Sequence, residues 1–154
     1  MMLTCISWGI TVDLKALLAR YLRELDQPVI TDYDLSLALF QFHSSKKYRS
    51  EALDITEPFP PWQEACATFV QPLIDLGILC PHKDFPEGRV FTIIGNRYQE
   101  PGDIACSVDP FAYLSHLSAM EYHGLTNRSP KLLFISTPPP KEWSAFAAQK
   151  MEKD

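Results

Sequence analysis

The clearest periodic pattern of apolar residues in the chain lies in residues 13–26. Its apolar positions recur at spacings of three and four residues, which predicts an amphipathic helix with one buried face. Asp13 is a suitable N-cap for this helix, and Pro28 ends it before a short extended piece at Val29-Ile30. The residues expected on the buried face are Leu14, Leu17, Leu18, Tyr21, Leu22 and Leu25.

A second helix is predicted from Asp32 to about Phe42, because Thr31 and Asp34 have the spacing of a capping box. Residues 43–60 then predict a long connection without regular structure. This connection is polar at first, and from Glu51 it is acidic and rich in proline. The second helix is expected to bury Leu35, Leu37, Leu39 and Phe40.

Pro61-Trp62 opens a third predicted helix, which runs to Leu76. Pro72 lies inside it and removes one backbone donor, so a kink or a split is expected there. Two strands follow, at residues 78–80 and 89–94, joined by a segment rich in turn residues. The side chains expected to face inward from the third helix are Trp62, Ala65, Phe69, Leu73 and Leu76.

Three helices followed by a two-stranded hairpin are the order of a winged helix-turn-helix domain. The polar turn after the hairpin is the best domain boundary. The sequence therefore predicts an α+β protein with an N-terminal winged helix, residues 1–98, and a small C-terminal unit, residues 99–154. Residues 3–10 are expected to form a strand or an irregular arm.

The C-terminal unit is expected to have a strand–helix–strand outline over residues 103–137. Its helix has two alternative starts: Asp109-Pro110 suits an early start, and Ser115 could cap a shorter helix preceded by an extended arm. Lys131–Thr137 predicts the second strand, and residues 141–154 predict a short amphipathic helix or a frayed tail. The apolar stripe expected to face a core is Tyr113, Leu114, Leu117 and Met120.

Two histidines, His116 and His123, fall on one face of this predicted helix. Seven residues at about 1.5 Å rise place them roughly 10 Å apart, which is too far for one metal ion. The four cysteines show no zinc-ligand spacing, and Cys80 is expected to be a buried thiol beside a turn. We therefore expect no metal site, and the histidines are interpreted as structural.

The composition is that of a protein able to bury a core, with 46% hydrophobic and 21% charged residues. The sequence shows neither a disulfide framework nor a basic leader before its apolar N-terminus, so a cytoplasmic protein is expected. Phosphate-binding, dinucleotide-binding, serine-hydrolase and zinc-protease motifs are absent from it. We therefore expect neither catalysis nor a cofactor.

A net charge of −5 is unfavourable for nucleic-acid binding, which depends on lysine and arginine contacts to phosphates. A local basic patch matters more than the total charge, however. The candidate DNA contacts are phosphate-binding cations after the second helix and in the hairpin, and polar side chains of the third helix. They are Lys46, Lys47, Arg49, Lys83, Arg89, Gln63, Thr68 and Gln71.

The run Ser115-His-Leu-Ser-Ala-Met-Glu-Tyr-His-Gly-Leu125, followed by the strand Leu132–Thr137, resembles the AbiEi family of antitoxin and transcriptional regulators. The resemblance implies an N-terminal winged helix that binds double-stranded DNA of its own promoter. It also implies a C-terminal domain that counters a nucleotidyltransferase toxin. The chain departs from the family in its long connection at 43–60, in Pro72, and in ending soon after Thr137. The alternative function is a winged-helix protein-interaction module without DNA binding, which the acidic charge favours.

Overall fold

The structure of the protein is a computed structural model, which describes residues 13–49, 51–53, 55, 58–96 and 100–154. The strand or arm predicted at residues 3–10 lies outside these described residues. The chain has an α+β fold in which helices pack on a small antiparallel sheet.

Helix α1, Leu14–Glu24, begins as its sequence predicts. The Asp13 side chain accepts a hydrogen bond from the Lys15 N–H at 3.2 Å. The predicted apolar face is confirmed, because Leu17, Leu18 and Leu22 are almost completely buried in the core. The burial of these leucines joins α1 to the rest of the fold through the hydrophobic effect.

Helix α2, Asp32–Ser45, follows strand β1, Val29–Thr31, without a loop. The predicted capping by Thr31 is confirmed: its Oγ1 accepts a hydrogen bond from the Asp34 N–H at 3.1 Å. The helix extends one turn past its predicted end, and the prediction that Phe40 is buried is wrong. Phe40 is 52% exposed and Phe42 is 7% exposed. The reason is the helical period, which places Phe42, and not Phe40, on the face of Leu35 and Leu39.

Residues 62–75 form one helical stretch in three parts: α3, Trp62–Ala65; a π-helical turn, Cys66–Val70; and α4, Gln71–Asp75. In the π turn the Gln71 N–H donates to the Cys66 carbonyl, five residues earlier. The extra residue rotates the later part of the helix, so that Val70 and Leu73 are buried. The prediction that Leu76 faces inward is wrong: Leu76 is the C-cap residue after α4, and it is 72% exposed.

A three-stranded antiparallel sheet holds the centre of residues 13–96. Strand β5, Val90–Ile93, lies between β1 and β4, Leu79–Pro81, in the order β1-β5-β4. Val29 pairs with Thr92 and Leu79 with Ile93. The two predicted strands are thus confirmed. Cys80, expected to be buried, is exposed, because it follows the buried Leu79 and side chains alternate along a strand.

The connection predicted at residues 43–60 contains a small hairpin that the sequence did not indicate. Strand β2, Lys47–Tyr48, pairs with β3, Glu51–Ala52. The Tyr48 ring packs edge-on against Phe42 at 5.2 Å between ring centroids. This contact holds the hairpin against the end of α2.

The C-terminal unit begins with a helix where a turn and a strand are predicted. Helix α5, Pro101–Val108, starts with proline in its first turn, where a missing N–H costs nothing. The predicted strand–helix–strand outline is thus wrong at its start, and the order is helix–strand–helix–strand. Gly102 lies in α5 where a Cβ would meet Leu114 Cδ2 at 2.9 Å, so a larger residue there would require the Leu114 side chain to shift.

Strand β6, Tyr113–Leu114, precedes helix α6, His116–Tyr122, and pairs with β7, Ile135–Ser136. Of the two alternative helix starts, the structure has the later one. The Asp109 side chain accepts a hydrogen bond from the Phe111 N–H, but a turn and then strand β6 follow instead of a helix. The predicted core stripe is wrong at both ends, since Tyr113 is 60% and Met120 44% exposed.

Helix α7, Pro140–Lys153, confirms the predicted C-terminal helix. Its C-terminal end contacts α2. Tyr33 donates from its hydroxyl to Asp154 Oδ2 at 3.1 Å, and Gln41 donates to the Asp154 carbonyl at 3.3 Å. Lys150 Nζ lies 3.8 Å from Asp34 Oδ1. Helix α5 packs against β1, so the two predicted units are in contact at two places.

Candidate nucleic-acid interface

Lys46 and Lys47 lie at the C-terminal end of α2 and are both exposed. Lys46 caps the helix in the left-handed conformation, with φ of 49°, and its N–H donates to the Phe42 carbonyl at 3.1 Å. Within the described part of the chain, neither lysine forms an ion pair. Both ammonium groups are therefore accessible to an anion such as phosphate.

Arg49, the third cation of this predicted cluster, is paired within the protein. Its guanidinium lies 2.9 Å from Glu24 Oε2, and the Tyr48 hydroxyl donates to the same carboxylate at 2.5 Å. Burial raises the pKa of Tyr48, and its hydrogen bond to Glu24 adds to this effect. The charge of Arg49 is thus largely balanced at the end of α1, and Arg49 contributes less to a basic patch than its sequence position indicates.

Lys83 and Arg89 both lie in the connection that joins β4 to β5, and both are exposed. Arg89 Nη1 is 2.7 Å from Asp32 Oδ2, in the first turn of α2, and the Asp32 N–H donates to the Arg89 carbonyl at 2.9 Å. Arg89 therefore serves to fix the hairpin to α2. Lys83 forms no ion pair within the described residues.

The five cations form two basic groups: Lys46, Lys47 and Arg49 in one, and Lys83 and Arg89 in the other. The two basic groups lie at opposite ends of α2. Arg89 is bound to Asp32, the first residue of the helix, while Lys46 caps its last turn. Thirteen residues of α-helix separate the two ends by about 20 Å. The structure therefore does not bring the five predicted phosphate-binding cations into one patch.

The polar candidates of the third helical stretch are exposed, as predicted. Gln63, Thr68 and Gln71 lie on its outer surface together with Glu64 and Asp75. The Gln71 amide donates to Asp75 Oδ1 at 3.0 Å, so it is partly engaged within the helix. With two carboxylates and no lysine or arginine, this surface repels phosphates.

The acidic partners Glu24 and Asp32 were not identified as part of the site from the sequence. Glu24 is 25 residues from Arg49, and Asp32 is 57 residues from Arg89. Local periodicity indicates which residues share a helix face, but it contains no signal for pairs at such separations. Both contacts form only because the fold brings elements that are distant in the sequence close together.

The described residues contain no group of three or more His, Cys, Asp or Glu side chains placed to hold a metal ion. Burial raises the pKa of Cys66, and it raises that of Cys106. A raised pKa lowers the thiolate fraction, which is the reactive form. His116 lies edge-on to Phe134, with 6.0 Å between ring centroids.

No family model, curated protein or solved structure matches the chain. Among the described residues, no helix combines the length and the apolar character needed to cross a membrane.

Proposed function

We propose that this protein is a cytoplasmic, non-catalytic DNA-binding regulator of the antitoxin type. Residues 13–96 would form a winged helix that binds duplex DNA of its own promoter. The C-terminal unit would counter a partner toxin of the nucleotidyltransferase class. The proposal combines the residue pattern of the C-terminal unit with the arrangement of elements before it.

The observation that supports the proposal best is the order and pairing of the elements in residues 13–96. A helix, an edge strand, a second helix, the small hairpin β2–β3, the helical stretch 62–75 and the hairpin β4–β5 follow one another. The first strand of the chain pairs with the last strand of this set in the sheet β1-β5-β4. Apart from the inserted hairpin β2–β3, this is the order of a winged helix. In a winged helix this order makes residues 62–75 the recognition helix and the β4–β5 turn the wing. Lys83 lies in that turn, and Lys46 and Lys47 are accessible cations.

The experiment is a fluorescence-anisotropy titration of the purified chain against a labelled duplex from upstream of its own gene and against a shuffled duplex. We expect tighter binding to the first duplex, and an affinity that falls between about 50 and 200 mM salt. Replacing Lys46 and Lys47 by Ala removes two accessible cations. The slope of log affinity against log salt should then decrease by about two.

Lys141 and Lys153 provide the matched control, since both are exposed on α7 and their replacement by Ala changes the net charge equally. This double variant should keep the salt dependence of the unmodified chain. Failure of the unmodified chain to bind any duplex at low salt would refute the DNA-binding proposal.

The second candidate function is a protein-interaction module built on the same winged helix. The outer surface of residues 62–75 favours it, because Glu64 and Asp75 are the charged residues there. If it is right, the product of a neighbouring gene co-purifies with the chain and Glu64→Lys disrupts that complex. A chain that binds duplex DNA, and captures no neighbouring gene product, contradicts it.

A further inference from the structure

A groove of about 370 Å³ runs across the C-terminal unit, between α5, α6 and residues 130–133. Leu114, Leu132, Leu133 and Tyr122 line it with apolar surface. Two of these side chains are largely uncovered: Tyr122 is 69% and Leu132 72% exposed. Contiguous exposed apolar surface with a polar border is typical of an interaction site.

The border of the groove is acidic. Glu100, Asp103 and Glu121 lie along it, against the single cation Lys131. None of the three carboxylates forms an ion pair with any residue that the structure describes. The groove therefore offers apolar surface and uncompensated negative charge side by side, and its complement is an apolar segment flanked by cations.

We propose that this groove binds a basic amphipathic helix of a protein partner. Apolar side chains at i, i+3 or i+4, and i+7 of that helix enter the groove, as in other helix-in-groove complexes. Lysine or arginine side chains on the flanks of the same helix meet Glu100, Asp103 and Glu121. The acidic border excludes nucleic acid from the groove, since phosphates carry the same sign of charge as the border.

A second copy of this chain fits the groove poorly. The chain carries a net charge of −5, so two copies repel one another. Helix α1 is basic at Arg20 and Arg23, but its apolar face is buried in the core. Helix α7 carries lysines, but the ring of Phe111 already packs against Trp143 and Phe146 of that helix. The occupant is therefore a basic helix of a different protein.

The test uses the full chain and no DNA, so its outcome is separate from that of the DNA-binding proposal. The probe is a fluorescein-labelled peptide of roughly 15 residues, with leucines along one helical face and lysines elsewhere. A second peptide has glutamate in place of every lysine. We expect the lysine peptide to bind, with an affinity at least about ten-fold higher than the glutamate peptide.

Two variants locate the binding site. Leu132→Ser should weaken binding of the lysine peptide about ten-fold, while the control Leu76→Ser should not, although both leucines are 72% exposed. Glu100→Gln with Glu121→Gln should weaken binding and reduce its dependence on salt. Circular dichroism checks that all variants fold, as expected for such exposed positions.

Equal binding of the two peptides, or an unchanged affinity in Leu132→Ser, would overturn the proposal. So would self-association in sedimentation velocity that Leu132→Ser abolishes, because the occupant would then be a second copy. An unchanged salt dependence in the double glutamine variant would overturn the role given to the acidic border.

Discussion

The Trp143 indole Nε1–H donates a hydrogen bond to Asp109 Oδ1 at 3.0 Å, and this bond joins α7 to the turn after α5. The other carboxylate oxygen of Asp109 accepts from the Thr137 hydroxyl at 2.7 Å. The same residue also accepts from the Phe111 N–H at 3.0 Å. One carboxylate thus connects a turn, the segment after β7 and a helix.

Asp109→Ala should destabilise the protein, because it removes three hydrogen bonds at once. Because the site is partly exposed, we expect the free energy of unfolding to decrease by only about 1–2 kcal/mol. Urea denaturation followed by tryptophan fluorescence measures this change. Glu152→Ala, an exposed position on α7, is the control and should change stability little. An equal loss in both variants would contradict the role of Asp109.

The contribution of Asp109 should depend on pH. Burial raises its pKa, but the hydrogen bonds from Thr137, Trp143 and Phe111 outweigh this and leave the pKa below the ordinary value of 3.8. A carboxyl whose pKa is lower in the folded state stabilises the protein above its unfolded pKa, and loses this contribution as pH falls through the folded value. The stability difference between the unmodified chain and Asp109→Asn should therefore be full at neutral pH and shrink below about pH 4. A difference that stays constant down to about pH 3 would contradict this assignment.

Glu24→Gln should increase DNA affinity a few-fold if the DNA-binding proposal holds, because it releases Arg49 from its ion pair. Its effect on stability should be below about 1 kcal/mol, since the pair is partly exposed to solvent. Glu152→Gln removes the same charge elsewhere and is the control for the change in net charge. The anisotropy titration measures the DNA affinity of both variants. Equal gains in affinity in the two variants would show that Arg49 takes no part in DNA binding.

Lys46→Gly should stabilise the fold while it weakens DNA binding. A side chain at φ of 49° is strained relative to glycine, and relief of that strain should add about 0.5–1 kcal/mol to the free energy of unfolding. Lys47→Gly, in strand β2, loses the same charge and should destabilise the hairpin. Thermal unfolding distinguishes the two, and a loss of stability in Lys46→Gly would show that its aliphatic stem packs usefully.

Glu64→Gln combined with Asp75→Asn should raise DNA affinity and leave the fold intact, because both carboxylates lie on the outer surface of residues 62–75. Removing two negative charges near a phosphate backbone weakens the repulsion most at low salt. Anisotropy titrations at two salt concentrations measure the effect. An affinity unchanged at both would indicate that this helical surface does not face DNA.

Local signals were sufficient to predict that α1, α2, β4 and β5 exist. The apolar pattern indicates α1, the capping box at Thr31 indicates α2, and the turn residues between β4 and β5 indicate the two strands. The apolar pattern did not identify every buried side chain, since Phe40 and Cys80 are exposed. Helix α5 was missed because Pro101 and Gly102 are also typical of a turn. Pro101 suits a helix because it lies in the first turn, which is a local feature. Gly102 lies close to Leu114, and this contact is non-local.

The predicted DNA contacts show where sequence reasoning ends. It correctly identified exposed cations, since all five are at the surface. It could not indicate that Arg49 and Arg89 are paired with carboxylates distant in the chain, nor that α2 separates the two basic groups. The apolar groove was missed for a similar reason. A leucine that faces a groove has the same place in the apolar pattern as a leucine in the core, so the sequence does not distinguish them.

The π-helical turn in residues 66–70 has a consequence for motion. A widened turn next to Pro72, which has no N–H to donate, leaves this part of the helix with weaker backbone bonding than α1. Such a segment opens locally at low cost, so its amides should exchange hydrogen with solvent faster than those of α1. Gln63 precedes this turn and Gln71 follows it, so the two side chains lie on segments joined by the part of the helix that we expect to open first.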